Sequence, residues 1–277
     1  MSDEDYIRSG IGHSTPDTIT VCGRDLAGEL MGTVPFTSLA FLLASGRMPT
    51  AGEGRVFDAV LVSLTDHGLT PIVLAARLTQ TGAPESLQGA IAAGLLGGGS
   101  VFLGPTEDTA RFLHAVVAEA GLDGDSGEAE LAAAAEGAVR ARIDGGDRVP
   151  GLGHPIHKEL DPRVPRVYEI AREEGTLGPH LRLLEAVRAA NEAVSGRRLP
   201  INGAGAGGAA LADLGLPPDL ARGFALLARV AGLIGHLAEE RERPIGMKLY
   251  GEVDRRMVYE PADRYGDGER DRDADAR

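Results

Sequence analysis

Between Arg24 and Tyr259, segment after segment carries apolar residues at three- and four-residue spacing, and most segments are punctuated by glycine or proline. That period belongs to helices, and the punctuation marks where they start and stop. "GRDLAGELMG" predicts a short amphipathic helix over Arg24–Met31. "PFTSLAFLLASG" predicts a helix capped near Thr37 or Ser38 and ended by Gly46. In "AGEGRVFDAVLVSLTDHG", Val56, Val60 and Leu64 form one stripe. "GAPESLQGAIAAGLLGGGS" predicts a helix with Pro84 in its first turn and a glycine stop at 97–99. "DTARFLHAVVAEAG", "EAELAAAAEGAVRARID", "PRVPRVYEIAREEG", "PHLRLLEAVRAANEAVSG" and "PDLARGFALLARVAGLIGHLAEERERP" complete the set. Strand character is confined to Asp17–Leu26, where Ile19, Val21 and the turn residue Gly23 predict a hairpin arm. The fold class is therefore all-α. Residues 121–130 read as a turn-rich linker, and 262–277, dense in charge and almost without apolar residues, as a disordered tail.

Composition narrows the function. With 43% hydrophobic and 25% charged residues the chain is globular, and with no tryptophan its core is built from Leu, Ala, Val and Ile. A net charge of -13 argues against binding nucleic acid over the whole surface, so an anionic ligand needs a local basic pocket. The single cysteine, Cys22, excludes an internal disulfide and a cysteine-rich metal site. The acidic start "MSDEDYIRSG" has no apolar signal segment, and no apolar run reaches bilayer length. The expectation is a cytoplasmic protein that engages neither membrane nor nucleic acid.

Four places carry chemistry. Arg229 lies in "FALLARVAGLIGHL", among apolar and small residues on every side of the helix. A guanidinium buried there needs a partner: an internal carboxylate such as Glu239 or Asp213, or a ligand carboxylate. His67, in "LTDHGLTP", is either a helix C-terminal cap or a site residue, with Asp66 beside it to orient it or merely to be solvated. "VPGLGHPIHKELDPR" opens with glycines that allow close backbone approach and presents His154, His157, Lys158 and Arg163 in one kinked stretch. His154 suits an acid, a base or a hydrogen-bond donor to a carbonyl; a zinc site with His157 is the competing reading, although no Glu or Cys stands at metal spacing. "INGAGAGGAA" reads first as close helix packing.

These segments resemble the citrate synthase superfamily, and in particular its short citryl-CoA lyase members and the lyase module at the C-terminus of ATP-citrate lyase. The resemblance runs from about Asp17 to Tyr259 and rests on "GRDLAGELMGTVPFTSLAFLLASGRMPT", "DHGLTP", "VPGLGHPIHKELDPR" and "FALLARVAGLIGHLAEERERP". It implies an all-helical dimer with a large domain, here 1–105 and 201–261, and an inserted small, coenzyme A-binding domain, 106–200. It implies an enzyme that makes or breaks a carbon–carbon bond between an acyl-CoA and a 2-oxo acid, as in citryl-CoA to acetyl-CoA plus oxaloacetate. No tightly bound cofactor is implied, since the coenzyme A thioester is substrate. Carried over, His67 and His154 are catalytic, Arg163 and Arg229 bind carboxylates, and Pro150, Gly151, Leu152, Gly153 and Lys158 meet coenzyme A. Two positions depart from the family. Phe102 stands where citrate synthases place a second catalytic histidine, as in ATP-citrate lyase. Ala204 stands where the family has its catalytic aspartate. Glu107 and Asp108 are candidate replacements. The departures also fit a catalytically impaired protein that binds citrate or acyl-CoA.

Overall fold

The structure is a computed structural model that describes residues 7–260; the tail expected to be disordered lies outside them. Eleven α-helices are described: α1 Phe36–Ser45, α2 Ala51–Leu64, α3 Pro71–Gly82, α4 Leu87–Leu96, α5 Gly104–Ala120, α6 Glu128–Asp144, α7 Arg163–Glu173, α8 Pro179–Ser195, α9 Gly203–Asp213, α10 Ala221–Glu242 and α11 Gly246–Arg256. Strands β1 Gly12–Ser14, β2 Ile19–Val21 and β3 Arg24–Asp25 pair antiparallel in that order. The hairpin expected over Asp17–Leu26 is present, extended by β1. The helix expected over Arg24–Met31 is not an α-helix: Arg24 and Asp25 close the sheet, and Leu26–Leu30 form one π-helical turn begun by the Asp25 side chain.

Local chemistry sets the helix ends. Thr50 and Glu53 form a reciprocal capping box at α2. Ser86 caps α4 through Gly89 N–H, so Pro84 lies just before the helix and not in its first turn. Gly46, Gly121 and Gly196 end α1, α5 and α8 in the left-handed conformation. Neither Thr37 nor Ser38 caps α1, whose first turn follows Pro35.

The core contains Val56, Val60 and Leu64 of α2, as the sequence stripe required, and an edge-to-face chain Phe41–Phe57–Phe224. Helix α10 packs against α2, α3, α4 and α5; α9 packs against α5, α8, α2 and α7. Contrary to the expectation that no apolar run reaches bilayer length, α10 with the turn before it is long and apolar enough to cross a membrane by composition alone, a character its packing against four helices also explains. Two buried polar knots lock the framework. Arg77, 2% exposed, reaches Glu240 at 2.5 Å and Glu239 at 2.9 Å, and Glu240 also accepts the Ile245 and Gly246 N–H groups that open α11. Asp213 accepts the N–H groups of Gly178, His180 and Leu181 and pairs with His180 Nδ1 at 2.8 Å, tying α9 to the start of α8.

Candidate active site

The loop before α7 is shaped by two glycines at positive φ, Gly151 at 83° and Gly153 at 81°. Between them Leu152 bridges Ile201, with Gly153 N–H donating to Pro200 O and Asn202 N–H to Gly151 O. Asn202 adds a side-chain bond to Gly153 O while capping α9 through Gly205 N–H. A Cβ on Gly205 would lie 2.6 Å from Gly151 Cα. The glycine-rich start of α9 thus serves close packing, as expected, and what it packs against is the histidine loop.

His154 follows this staple. Backbone N–H groups of Ile156 and His157 both point at its Nδ1, at 3.1 and 3.0 Å. Nδ1 is therefore an acceptor, and in the neutral ring the proton sits on Nε2. Burial, with the nearby charges of His157, Arg163 and His67, pushes the His154 pKa down against the pull of Asp161. The group is a neutral imidazole that carries its proton on Nε2. His67 comes from the turn after α2, and its ring lies 5.2 Å from His154 and 5.7 Å from His157; the latter two are 4.5 Å apart. One ring nitrogen from each of the three lies within 4.8 Å of the others. That spacing would suit a metal, but the hydrogen bonding does not. A metal on Nε2 of His154 would force a proton onto Nδ1, against two N–H donors.

Asp161 is fully buried and chelates Arg163, with Nε to Oδ1 at 2.9 Å and Nη2 to Oδ2 at 2.7 Å, while Arg163 Nη1 donates to Ser63 O. Oδ2 also accepts Gly203 N–H at 2.8 Å. Burial alone would raise the Asp161 pKa, but Arg163 and Gly203 N–H hold it far below the usual carboxylate range. The carboxylate is a permanent anion that fixes Arg163 over the first turn of α9.

Arg229 is 5% exposed, and its Nε and Nη1 atoms are buried without a hydrogen-bond partner. Neither expected internal partner serves it. Glu239 is taken by Arg77 and Asp213 by His180. The nearest carboxylate, Asp66, is 4.0 Å away and already accepts from His236 Nε2 at 2.8 Å and from Gly68 N–H. Burial lowers the Arg229 pKa, Asp66 raises it, and the charge of Arg163 lowers it again. The charge of Arg163 also acts on His154.

The remaining expectations separate. Lys158 is exposed, and its Nζ bonds His154 O. Pro150 borders a surface groove of about 270 Å³ lined by Phe112, Arg111 and Arg142. Glu107 is bound to Arg111 and Arg222, and Asp108 lines that groove, so neither belongs to the histidine cluster. Ala204 sits in the first turn of α9, between Gly203 under Arg163 and Gly205 against the loop. Phe102 is 43% exposed. Sequence reasoning missed Asp161, His236 and Arg77. Asp161 had a local signal, two residues before Arg163; the other two pair with residues more than 160 positions away.

A helical bundle whose histidine loop, arginine helix and glycine-opened helix converge in this way has known relatives. A family model described as citrate synthase, C-terminal domain, matches residues 36–248, and the chain belongs to the citrate synthase family. Citryl-CoA lyase from Hydrogenobacter thermophilus is 30% identical, with 92% of this chain and 95% of that chain covered and a TM-score of 0.80. ATP citrate lyase from Methanosaeta concilii, in an Asp-to-Ala variant complexed with (3S)-citryl-CoA, shares the fold at 22% identity and a TM-score of 0.72, over 94% of this chain and 42% of that one. "Citrate synthase 2" of Bacillus subtilis (strain 168) is 24% identical over 197 residues, which is 71% of this chain and half the length of that relative.

Proposed function

We propose that this protein is a citryl-CoA lyase-like enzyme, cleaving citryl-CoA to acetyl-CoA and oxaloacetate or running the reverse condensation. The observation that carries the reading is the buried Arg229 guanidinium, two of whose nitrogens have no hydrogen-bond partner and on which the charges of Asp66 and Arg163 act. An uncompensated buried charge costs several kcal/mol, about 3–5 when a pair is broken. A ligand carboxylate received between the two arginines removes that cost and gains planar, charge-assisted hydrogen bonds. The Nε2–H of His154 then donates to the carbinol or carbonyl oxygen, where negative charge gathers as the carbon–carbon bond breaks or forms.

The coenzyme A end runs along Pro150–Gly153 toward the groove with Arg111 and Arg142, with Lys158 available to phosphate. The small domain of this reading is 106–200 and the large domain 1–105 with 201–261. Two chains assemble through the large domain, which bears exposed apolar side chains such as Leu96, Val101, Ile234 and Met247. The protein works in the cytoplasm.

Ala204 favours a second reading: a protein that holds citryl-CoA or citrate without turning it over. Incubating the full chain with citryl-CoA separates the two. Release of oxaloacetate with acetyl-CoA is the expected result. Tight binding without either product would leave the binder, and neither binding nor turnover would end both readings.

A further inference from the structure

Cleavage of citryl-CoA needs two proton movements, one off the tertiary hydroxyl and one onto the carbon next to the thioester. The carboxylates bordering the site are committed. Asp161 is buried under Arg163 and Gly203 N–H, and Asp66 is held by His236 and Gly68 N–H. His154 is fixed as a donor by the two N–H groups on its Nδ1. Two imidazoles remain, His67 and His157. Each has a nitrogen within 4.8 Å of the others in the cluster, and among the described residues neither ring makes a hydrogen bond. His157 is half-buried, on the loop that carries His154, and its own backbone N–H helps lock the His154 ring.

Resting on the reading above, we propose that His157 is the second proton carrier, exchanging the proton at the carbon next to the thioester, with His67 serving the hydroxyl. In the cleavage direction, neutral His67 takes the hydroxyl proton. The bond between carbinol carbon and methylene breaks, and its electron pair passes to the methylene as a thioester enolate. The carbinol becomes the ketone of oxaloacetate. Protonated His157 then gives its proton to the enolate carbon, completing the acetyl methyl group. Protons and electrons balance, and the two imidazoles re-equilibrate through solvent. The rings facing His157 are those of His67 and His154.

The test is His157→Gln in the full-length protein, with citryl-CoA as the probe. The expected result is a kcat lower by roughly 10²- to 10⁴-fold, binding of citryl-CoA within about threefold of wild type, and partial recovery of His157→Ala by added imidazole. Exchange of acetyl-CoA methyl protons with deuterated solvent, in the presence of oxaloacetate, is lost in parallel. Wild-type turnover with an undiminished His157→Gln rate overturns this inference and leaves the proposed function standing. Lost binding in His157→Gln, with an unchanged melting temperature, also overturns it, because the residue would then hold ligand and not move a proton. A wild type that neither binds nor cleaves citryl-CoA overturns both.

Discussion

His154 is a residue whose protonation the fold decides. Burial first, then the neighbouring His157, Arg163 and His67, keep it neutral against Asp161. Because folding depresses its pKa, its contribution to stability is full above about 6.5 and is lost as pH falls through the native value. A histidine titration followed by NMR is expected to place His154 below 6.5; a midpoint above that contradicts the site geometry. His154→Gln is expected to flatten the fall in melting temperature between about pH 6.5 and 5. Arg229 was legible as a buried charge, since nothing polar surrounds it in sequence. Its partner was not. Glu239 and Asp213 pair instead with Arg77 and His180.

At the scale of elements, most helices were legible because glycine and proline interrupt a helical period with few competing signals. The segment Arg24–Met31 failed because an amphipathic pattern of eight residues fits a strand end plus a π-helical turn equally well. Contacts between elements leave no periodic trace, and Arg77 is the clearest case: it joins α3, α10 and α11 through partners 162 and 163 positions away. Arg77→Met is expected to destabilise by about 3–5 kcal/mol in a denaturant titration, because it strands the buried Glu240 carboxylate. Arg77→Met with Glu240→Gln is expected to recover part of that loss; a loss below about 1 kcal/mol in the single variant would show that the knot is solvated. The glycine crossing between α9 and the loop makes a second prediction. Gly205→Ala places a methyl group against the Gly151 backbone and is expected to cost about 1–3 kcal/mol. It is also expected to weaken citrate binding, since the loop that moves carries His154. Unchanged stability and binding would show that loop and helix are not coupled.

At the scale of the molecule, a chain of net charge -13 brings His67, His154 and His157 together, with Arg229 4.0 Å from Asp66, the neighbour of His67 in sequence. These side chains come from α10, the turn after α2 and the loop before α7, segments spread over more than 160 residues. The family and helical class were legible because the loop from Val149 to Arg163 packs its chemistry into fifteen residues. The joining of that loop to Arg229 in one ligand site, as proposed above, leaves no sequence signal, because only packed helices can create it. That joining is the central claim, and calorimetric titration of citryl-CoA into wild type and Arg229→Met tests it most directly. Wild type is expected to bind in the micromolar range, and Arg229→Met to bind at least about 30-fold more weakly, roughly 2 kcal/mol, without a lower melting temperature. Equal affinity in the two proteins would contradict the account.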